Sequence, residues 1–221
     1  MRKSTRNLLL SPHPDDLVFS AFSALTKCDE SDLIVVFFNV SKFTRWPIRS
    51  RKLVTLYRTT EDRAILRMAG AKNVAYLFAR DNSLEQPNKV GDWSRELEPP
   101  ESILSPLGIG NNQNHVFVRN EAVKQWKIWS RSPRLLFYED LPYAAKISNP
   151  EAELKSLIAS LETECGPLKE VVQPLSPLET SRKKRLCKAY YSQTDYSELI
   201  AKHASLRGKE TGFAELFFQS I

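Results

Sequence analysis

Ser11-Pro12-His13-Pro14-Asp15-Asp16 lies between a short apolar run, Asn7-Leu8-Leu9-Leu10, and a longer one, Leu17-Val18-Phe19-Ser20-Ala21-Phe22-Ser23-Ala24-Leu25. The first run predicts a strand and the second a buried helix. Two prolines mark the turn between them. A strand–turn–helix unit of this kind carries polar side chains at the carboxyl end of a strand, where open α/β sheets place their sites. One imidazole and two adjacent carboxylates are costly to hold there unless they bind or react. Read as a turn and a helix cap, Asp15 or Asp16 would accept the free N–H groups of the first helical turn. That reading leaves His13 and the other aspartate without a task. Read as half of a metal site, imidazole and carboxylate suit Zn²⁺, and the second carboxylate is available as a base.

Outward from this turn the pattern is that of a parallel sheet. Leu33 to Asn39 is a continuous β-branched and aromatic run, expected as a strand buried on both faces. Ser41 to Lys52 is a basic loop around Trp46-Pro47, and Val54 to Ala69 predicts a helix stopped by Gly70. Val74 to Leu77 is expected as the third strand. The pattern fades from Phe78 to Ser105, through the loop residues Asp81, Asn82, Pro87, Asn88, Gly91, Pro99 and Pro100, with a short helix possible at Trp93 to Leu97. Val116 to Ser130 predicts an amphipathic helix, and Leu135 to Tyr138 a strand ending in Glu139-Asp140-Leu141-Pro142-Tyr143. Pro150 to Leu161, Leu178 to Tyr191 and Tyr196 to Leu206 predict helices, Val171-Val172 a short strand, and Phe213 to Phe218 an edge strand or a terminal helical turn. Alternating strands and helices predict right-handed βαβ units, hence an α/β class: a three-layer α/β/α Rossmann-like domain with a mostly parallel sheet over residues 1–221. No Gly-x-Gly-x-x-Gly follows the first strand, which argues against a dinucleotide site.

The composition, 221 residues with 42% hydrophobic and 26% charged, supports a real core. No apolar run approaches the length that spans a bilayer. Leu8-Leu9-Leu10 is too short for a signal-peptide core, so a cytoplasmic protein is expected. Cys28, Cys165 and Cys187 form no zinc-finger or redox spacing and are expected as reduced structural thiols. The net charge of +6 permits an anionic partner. Arg182-Lys183-Lys184-Arg185 is expected as an exposed helix face, so no nucleic-acid partner is expected; a homo-oligomer is left open.

The chain has three histidines. His115 begins a helix after the turn Pro106-Leu107-Gly108-Ile109-Gly110, and the βαβ order can bring that turn to the edge that carries His13. Should a metal bind at His13 and Asp16, His115 is the natural third ligand; three protein ligands and a water are the arrangement of catalytic zinc. His203, between Lys202 and Ala204, is expected on a helix surface.

These motifs resemble the LmbE/PIG-L family of zinc-dependent N-deacetylases. The family's opening signature, Pro-His-Pro-Asp-Asp-Glu, corresponds to Pro12-His13-Pro14-Asp15-Asp16-Leu17. Its second, Pro-Leu-Gly-Ile-Gly followed after one residue by His-x-Asp-His, corresponds to Pro106 to Gly110, Asn111, then Asn112-Gln113-Asn114-His115. Arg58 to Gly70, Phe137 to Tyr143 and Tyr191-Ser192-Gln193 resemble further family segments. The resemblance implies Zn²⁺ held by His13, Asp16 and His115, Asp15 as general base, and Arg58 as a contact to the substrate sugar. An alternative for Arg58 is an ion pair with Glu61 or Asp62 on its own helix. The implied activity is removal of an acetyl or small acyl group from an N-acylated amino sugar or glycoconjugate. Three residues depart from the family pattern. Leu17 replaces a glutamate, and Asn112 and Asn114 replace a histidine and an aspartate that serve the developing oxyanion. Asn112 can still donate a neutral hydrogen bond at this catalytic position, but loss of a full donor typically costs ~10²–10³ in rate. Tyr143 is a candidate substrate contact and a candidate for the missing donor. The rival reading is a metal- or ligand-binding member of the same fold without hydrolysis. Lys42, Arg45, Arg49, Arg51 and Lys52 suggest an anionic, phosphate-bearing substrate, with Arg45 as a contact.

Overall fold

The structure is a computed structural model and describes residues 4–81, 93–208 and 212–221. The loop expectations at Asn82, Pro87, Asn88 and Gly91 lie outside the described residues. Strands β1 (Asn7–Ser11), β2 (Leu33–Val36), β3 (Val74–Tyr76), β4 (Ser102–Pro106), β5 (Arg134–Tyr138), β6 (Leu168–Leu175) and β7 (Phe213–Ser220) form one sheet in the order β3-β2-β1-β4-β5-β7-β6. β1 to β5 are parallel, and β7 runs antiparallel to both β5 and β6. Strand order reverses at β1, which pairs with β2 on one side and β4 on the other. The connections leaving β1 and β4 therefore diverge, and the crevice between them is where such a sheet binds ligands.

The expected class, a three-layer α/β/α fold with a mostly parallel sheet, is what the chain adopts. Helices α1 (Asp16–Ser20), α2 (Phe22–Leu25), α3 (Arg51–Ala69), α4 (Gln113–Ile128), α5 (Tyr143–Lys146), α6 (Pro150–Cys165), α7 (Pro177–Lys188) and α8 (Ser197–Gly208) cover it. α4 packs on β4 and β1, while α1 packs on α7 and α8 on β7. Leu8, Leu10, Phe37, Phe137 and Phe218 are fully buried between the layers.

Several elements differ from expectation, each for a physical reason. The helix expected over Leu17 to Leu25 is broken at Ala21, where φ is −135°. The second piece starts afresh because Glu215 of β7 accepts from the N–H groups of Phe22 and Ser23, both at 2.9 Å, and from Ser23 Oγ at 2.6 Å. β4 was not expected at all. Its sequence, Ser-Ile-Leu-Ser-Pro, has only two large apolar residues, yet it is buried throughout, with Ser102 Oγ donating to Asn7 Oδ1 at 2.6 Å. Trp93 to Leu97 forms turns rather than a helix. β7 is an interior strand, not an edge, and β6 is far longer than Val171-Val172.

Two residues expected on the surface are buried. Lys183 is 4% exposed and donates to Glu215 at 2.7 Å. His203 is 7% exposed, with Nε2 at 2.9 Å from Glu139, which also accepts from the Arg207 guanidinium. This cluster ties α8 to the end of β5. Burial alone would push the Glu139 carboxyl up, but His203 and Arg207 outweigh it and hold it below its ordinary 4.5. A carboxyl depressed by folding contributes stability above its unfolded pKa and loses it as pH falls through the folded value. Below about pH 4.5 the native protein is expected to lose stability more steeply than Glu139→Gln in urea unfolding at stepped pH. Equal slopes would remove Glu139 from the account.

Candidate functional site

The turn after β1 is built by its own side chains. Ser11 Oγ donates to the His13 carbonyl at 2.7 Å, and the His13 N–H donates to Asp16 Oδ2 at 2.7 Å. Asp15 occupies the position before α1 but makes no side-chain capping bond, so the turn-and-cap reading does not describe it. Its φ of 102° is a conformation that side-chain-bearing residues rarely adopt. Strain of this order persists only where the surroundings hold it. Here the Asp15 N–H donates to Asp62 Oδ1 at 3.3 Å, and Asp62 is fixed by Tyr76 Oη at 2.8 Å and Tyr190 Oη at 2.7 Å.

The turn after β4 brings in the other half. Asn112 caps α4, its side chain accepting from the Asn114 N–H at 3.0 Å. His115, in the first turn of α4, is fully buried. Its Nδ1 lies 2.5 Å from Asp140 Oδ1, and Asp140 Oδ2 accepts from the N–H groups of Gly108 at 2.7 Å and Ile109 at 3.1 Å. Asp140 thus orients the His115 ring and fixes the glycine turn that precedes it.

His13, Asp16 and His115 converge. Each offers a ligand atom, and these atoms lie within 4.8 Å of one another. Asp16 Oδ2 is 3.2 Å from His13 Nδ1 and 3.3 Å from His115 Nε2. His115 Nε2 is buried and has no hydrogen-bond partner among the described residues. Burial alone would lower the His13 pKa, but Asp16 and Asp81 outweigh it and raise it to about 10. The floor of the site therefore favours positive charge. An orphan imidazole nitrogen beside a carboxylate and a second imidazole is a donor set that fits a divalent cation such as Zn²⁺.

Around this floor opens a cleft of about 500 Å³ lined by Asp15, Arg58, Asp81, Asn112, Asn114, Tyr143, Gln193 and others. Burial, with the Asp16 carboxylate adjacent, pushes the Asp15 carboxyl up from its ordinary value. Arg58 is 3% exposed and points at the turn, its Nη2 3.9 Å from Asp15 Oδ2. It makes no ion pair with Glu61, which instead accepts from the Ser192 N–H at 3.1 Å. Burial and the Asp16 and Asp15 charges push the Tyr143 hydroxyl up, so it stays protonated. Arg45 does not line the cleft: its guanidinium lies over the Tyr191 ring at 5.9 Å, and of the basic loop only Lys42 reaches the lining.

Sequence reading gave no site role to Asp81, Asp140, Lys146 or Gln193, although Asp140 and Gln193 lie in segments that resemble the family. Asp81 Oδ1 is 3.5 Å from His13 Nε2 and accepts from Asn114 Nδ2 at 2.9 Å. The acid pair after the strand that became β5 was the one visible signal for Asp140; Asp81 sat in a stretch without periodicity.

No protein-family profile matches the chain. In sequence it is 24% identical over 169 residues to a 2'-N-acetylparomamine deacetylase of Streptomyces fradiae, a match covering 64% of this chain and 58% of that protein's length. In structure it resembles the zinc-inhibited form of a teicoplanin deacetylase, with a TM-score of 0.67, 18% identity and 97% of both chains covered. It also resembles an N,N'-diacetylchitobiose deacetylase of Pyrococcus horikoshii, with a TM-score of 0.68, 16% identity, and coverage of 97% of this chain and 83% of the other.

Proposed function

We propose that this chain, a relative of the LmbE/PIG-L deacetylases in motif and fold, is a metal-dependent N-deacetylase acting on an N-acylated amino sugar or sugar conjugate. The observation that carries this reading is the orphan His115 Nε2 facing Asp16 and His13, beside an Asp15 carboxylate left out of that trio. His13, Asp16 and His115 would hold the metal. A bound Zn²⁺ supplies a Lewis acid for the acyl oxygen and lowers the pKa of water. Asp15 takes the proton of the attacking water as the C–O bond forms. It returns that proton to the amide nitrogen as the C–N bond breaks, leaving a free amine and a carboxylic acid, which then ionises.

The cleft wall supports an acceptor-rich substrate. Arg58 Nε and Gln193 Nε2 are buried donors without acceptors among the described residues. Sugar hydroxyl oxygens or phosphate oxygens would satisfy them. Lys42 and Lys146, both exposed, stand at the cleft. A phosphate-bearing substrate is the finer form of the reading. No helix among the described residues is long and apolar enough to cross a membrane, and the free thiols Cys28, Cys165 and Cys187 fit a cytoplasmic enzyme.

The test is acetate release from N-acetylglucosamine and from its 1-phosphate by zinc-loaded protein. Release is expected to stop with a chelator and return with zinc. The phosphorylated substrate is expected to have the lower KM, an advantage that shrinks as salt screens the two lysines. Zinc binding without cleavage of any N-acetyl sugar would favour the non-hydrolytic, ligand-binding form. Absence of stoichiometric metal would overturn the proposal.

A further inference from the structure

Asn112 stands where the resembled motif has a histidine, and its amide is already committed. Oδ1 accepts from the Asn114 N–H at 3.0 Å, and Nδ2 donates to the Tyr143 hydroxyl at 2.8 Å. A hydroxyl that accepts from an amide keeps its own proton for another acceptor. Among the described hydrogen bonds none takes that proton, and Tyr143 lines the same cleft as His13, Asp15 and Asp16.

The surroundings place this ring with care. It meets the His115 ring edge-on, with centroids 4.9 Å apart and an interplanar angle of 75°. The Ala144 N–H donates to the Asp140 carbonyl at 2.9 Å, so the segment that orients His115 also starts the helix that carries Tyr143. Gly110 leaves the space: a Cβ there would lie 3.0 Å from Tyr143 Cβ.

We infer that Tyr143 is the oxyanion donor of this chain and that Asn112 is the positioning residue that aims it. As water attacks, the carbonyl π pair moves onto the acyl oxygen, and the Tyr143 hydroxyl hydrogen-bonds to that oxygen. The pair returns as the C–N bond breaks. Tyr143 gives up no proton; Asp15 alone carries the one taken from water. The inference rests on the deacetylation reading and says which residue replaces the missing histidine.

The experiment compares the zinc-loaded native protein with Tyr143→Phe, Asn112→Ala and Asn112→Asp. Tyr143→Phe is expected to lower kcat for acetate release by ~10²–10³, with KM within about twofold and zinc content unchanged. A second readout needs no turnover: binding of a methylphosphonamidate of glucosamine, which mimics the tetrahedral centre, against binding of glucosamine. Tyr143→Phe is expected to weaken the mimic by a similar factor and to leave glucosamine unchanged. Asn112→Ala leaves the hydroxyl free but unaimed, for a loss of about tenfold. Asn112→Asp reverses the hydrogen bond and draws the hydroxyl proton out of the cleft, so it is expected to match Tyr143→Phe. If Tyr143→Phe does not fold, the gap between the two Asn112 variants decides. Native kcat and mimic affinity in Tyr143→Phe would overturn the inference. So would equal loss of mimic and glucosamine, or Asn112→Asp no worse than Asn112→Ala. If the native protein releases no acetate, the deacetylation reading fails by itself, and the ratio of mimic to glucosamine binding still judges Tyr143.

Discussion

Asp15→Asn is expected to lower amide hydrolysis by ~10²–10⁴ while the protein still binds zinc. The carboxylate is not one of the three convergent candidate ligands, so its replacement would remove no metal bond. It lines the cleft next to those candidate ligands and, among the described residues, its carboxylate pairs with Arg58 alone, at 3.9 Å. Its backbone is held at φ 102° by the bond to Asp62, so an isosteric amide keeps the same place. What the amide lacks is the ability to take a proton from water. Acetate release and metal analysis on one preparation check this. The companion result is loss of zinc in His115→Ala. Asp15→Asn retaining activity within about tenfold of native would assign the base to another group.

Asp140→Ala is expected to damage fold and site together. Asp140 is fully buried and serves Gly108 N–H, Ile109 N–H and the His115 ring. Removing it leaves two buried N–H groups without an acceptor, at about 1–3 kcal/mol each. A histidine ligand stripped of its partner typically loses about 10–100-fold in metal affinity. Asp140→Asn separates the two effects. Its carbonyl oxygen still serves Gly108 and Ile109, while its amide N–H faces His115 Nδ1 and favours the tautomer protonated at Nε2, the nitrogen that faces Asp16. That variant is expected to unfold near the native urea midpoint yet bind zinc weakly. Native zinc affinity in both variants would show that His115 needs no such partner.

The opening turn was legible because local chemistry wrote it. An apolar strand, two prolines, His13, Asp15 and Asp16 lie within a dozen residues, and each has a local reason to be there. The parallel α/β class followed from the same local periodicity, and the resemblance to the LmbE/PIG-L family agrees with the deacetylases that the chain matches in sequence and fold. His115 was reachable by elimination among three histidines, although only topology, with β1 beside β4, sets it 3.3 Å from Asp16.

What the tertiary structure decided is everything whose cause lies far along the chain. His203 and Lys183 looked like solvated helix residues because their partners, Glu139 and Glu215, are distant in sequence and satisfy them only once α8 and α7 dock. β4 stayed hidden because Ser102 becomes acceptable in a sheet interior only when Asn7 supplies an acceptor. Which residue of the basic loop reaches the cleft, Lys42 and not Arg45, and the commitment of Asn112 to Tyr143, depend on where loops and α5 come to rest. Hydrophobic periodicity specifies which side chains leave water; which polar groups meet once they have left is fixed by packing across the switch point of the sheet.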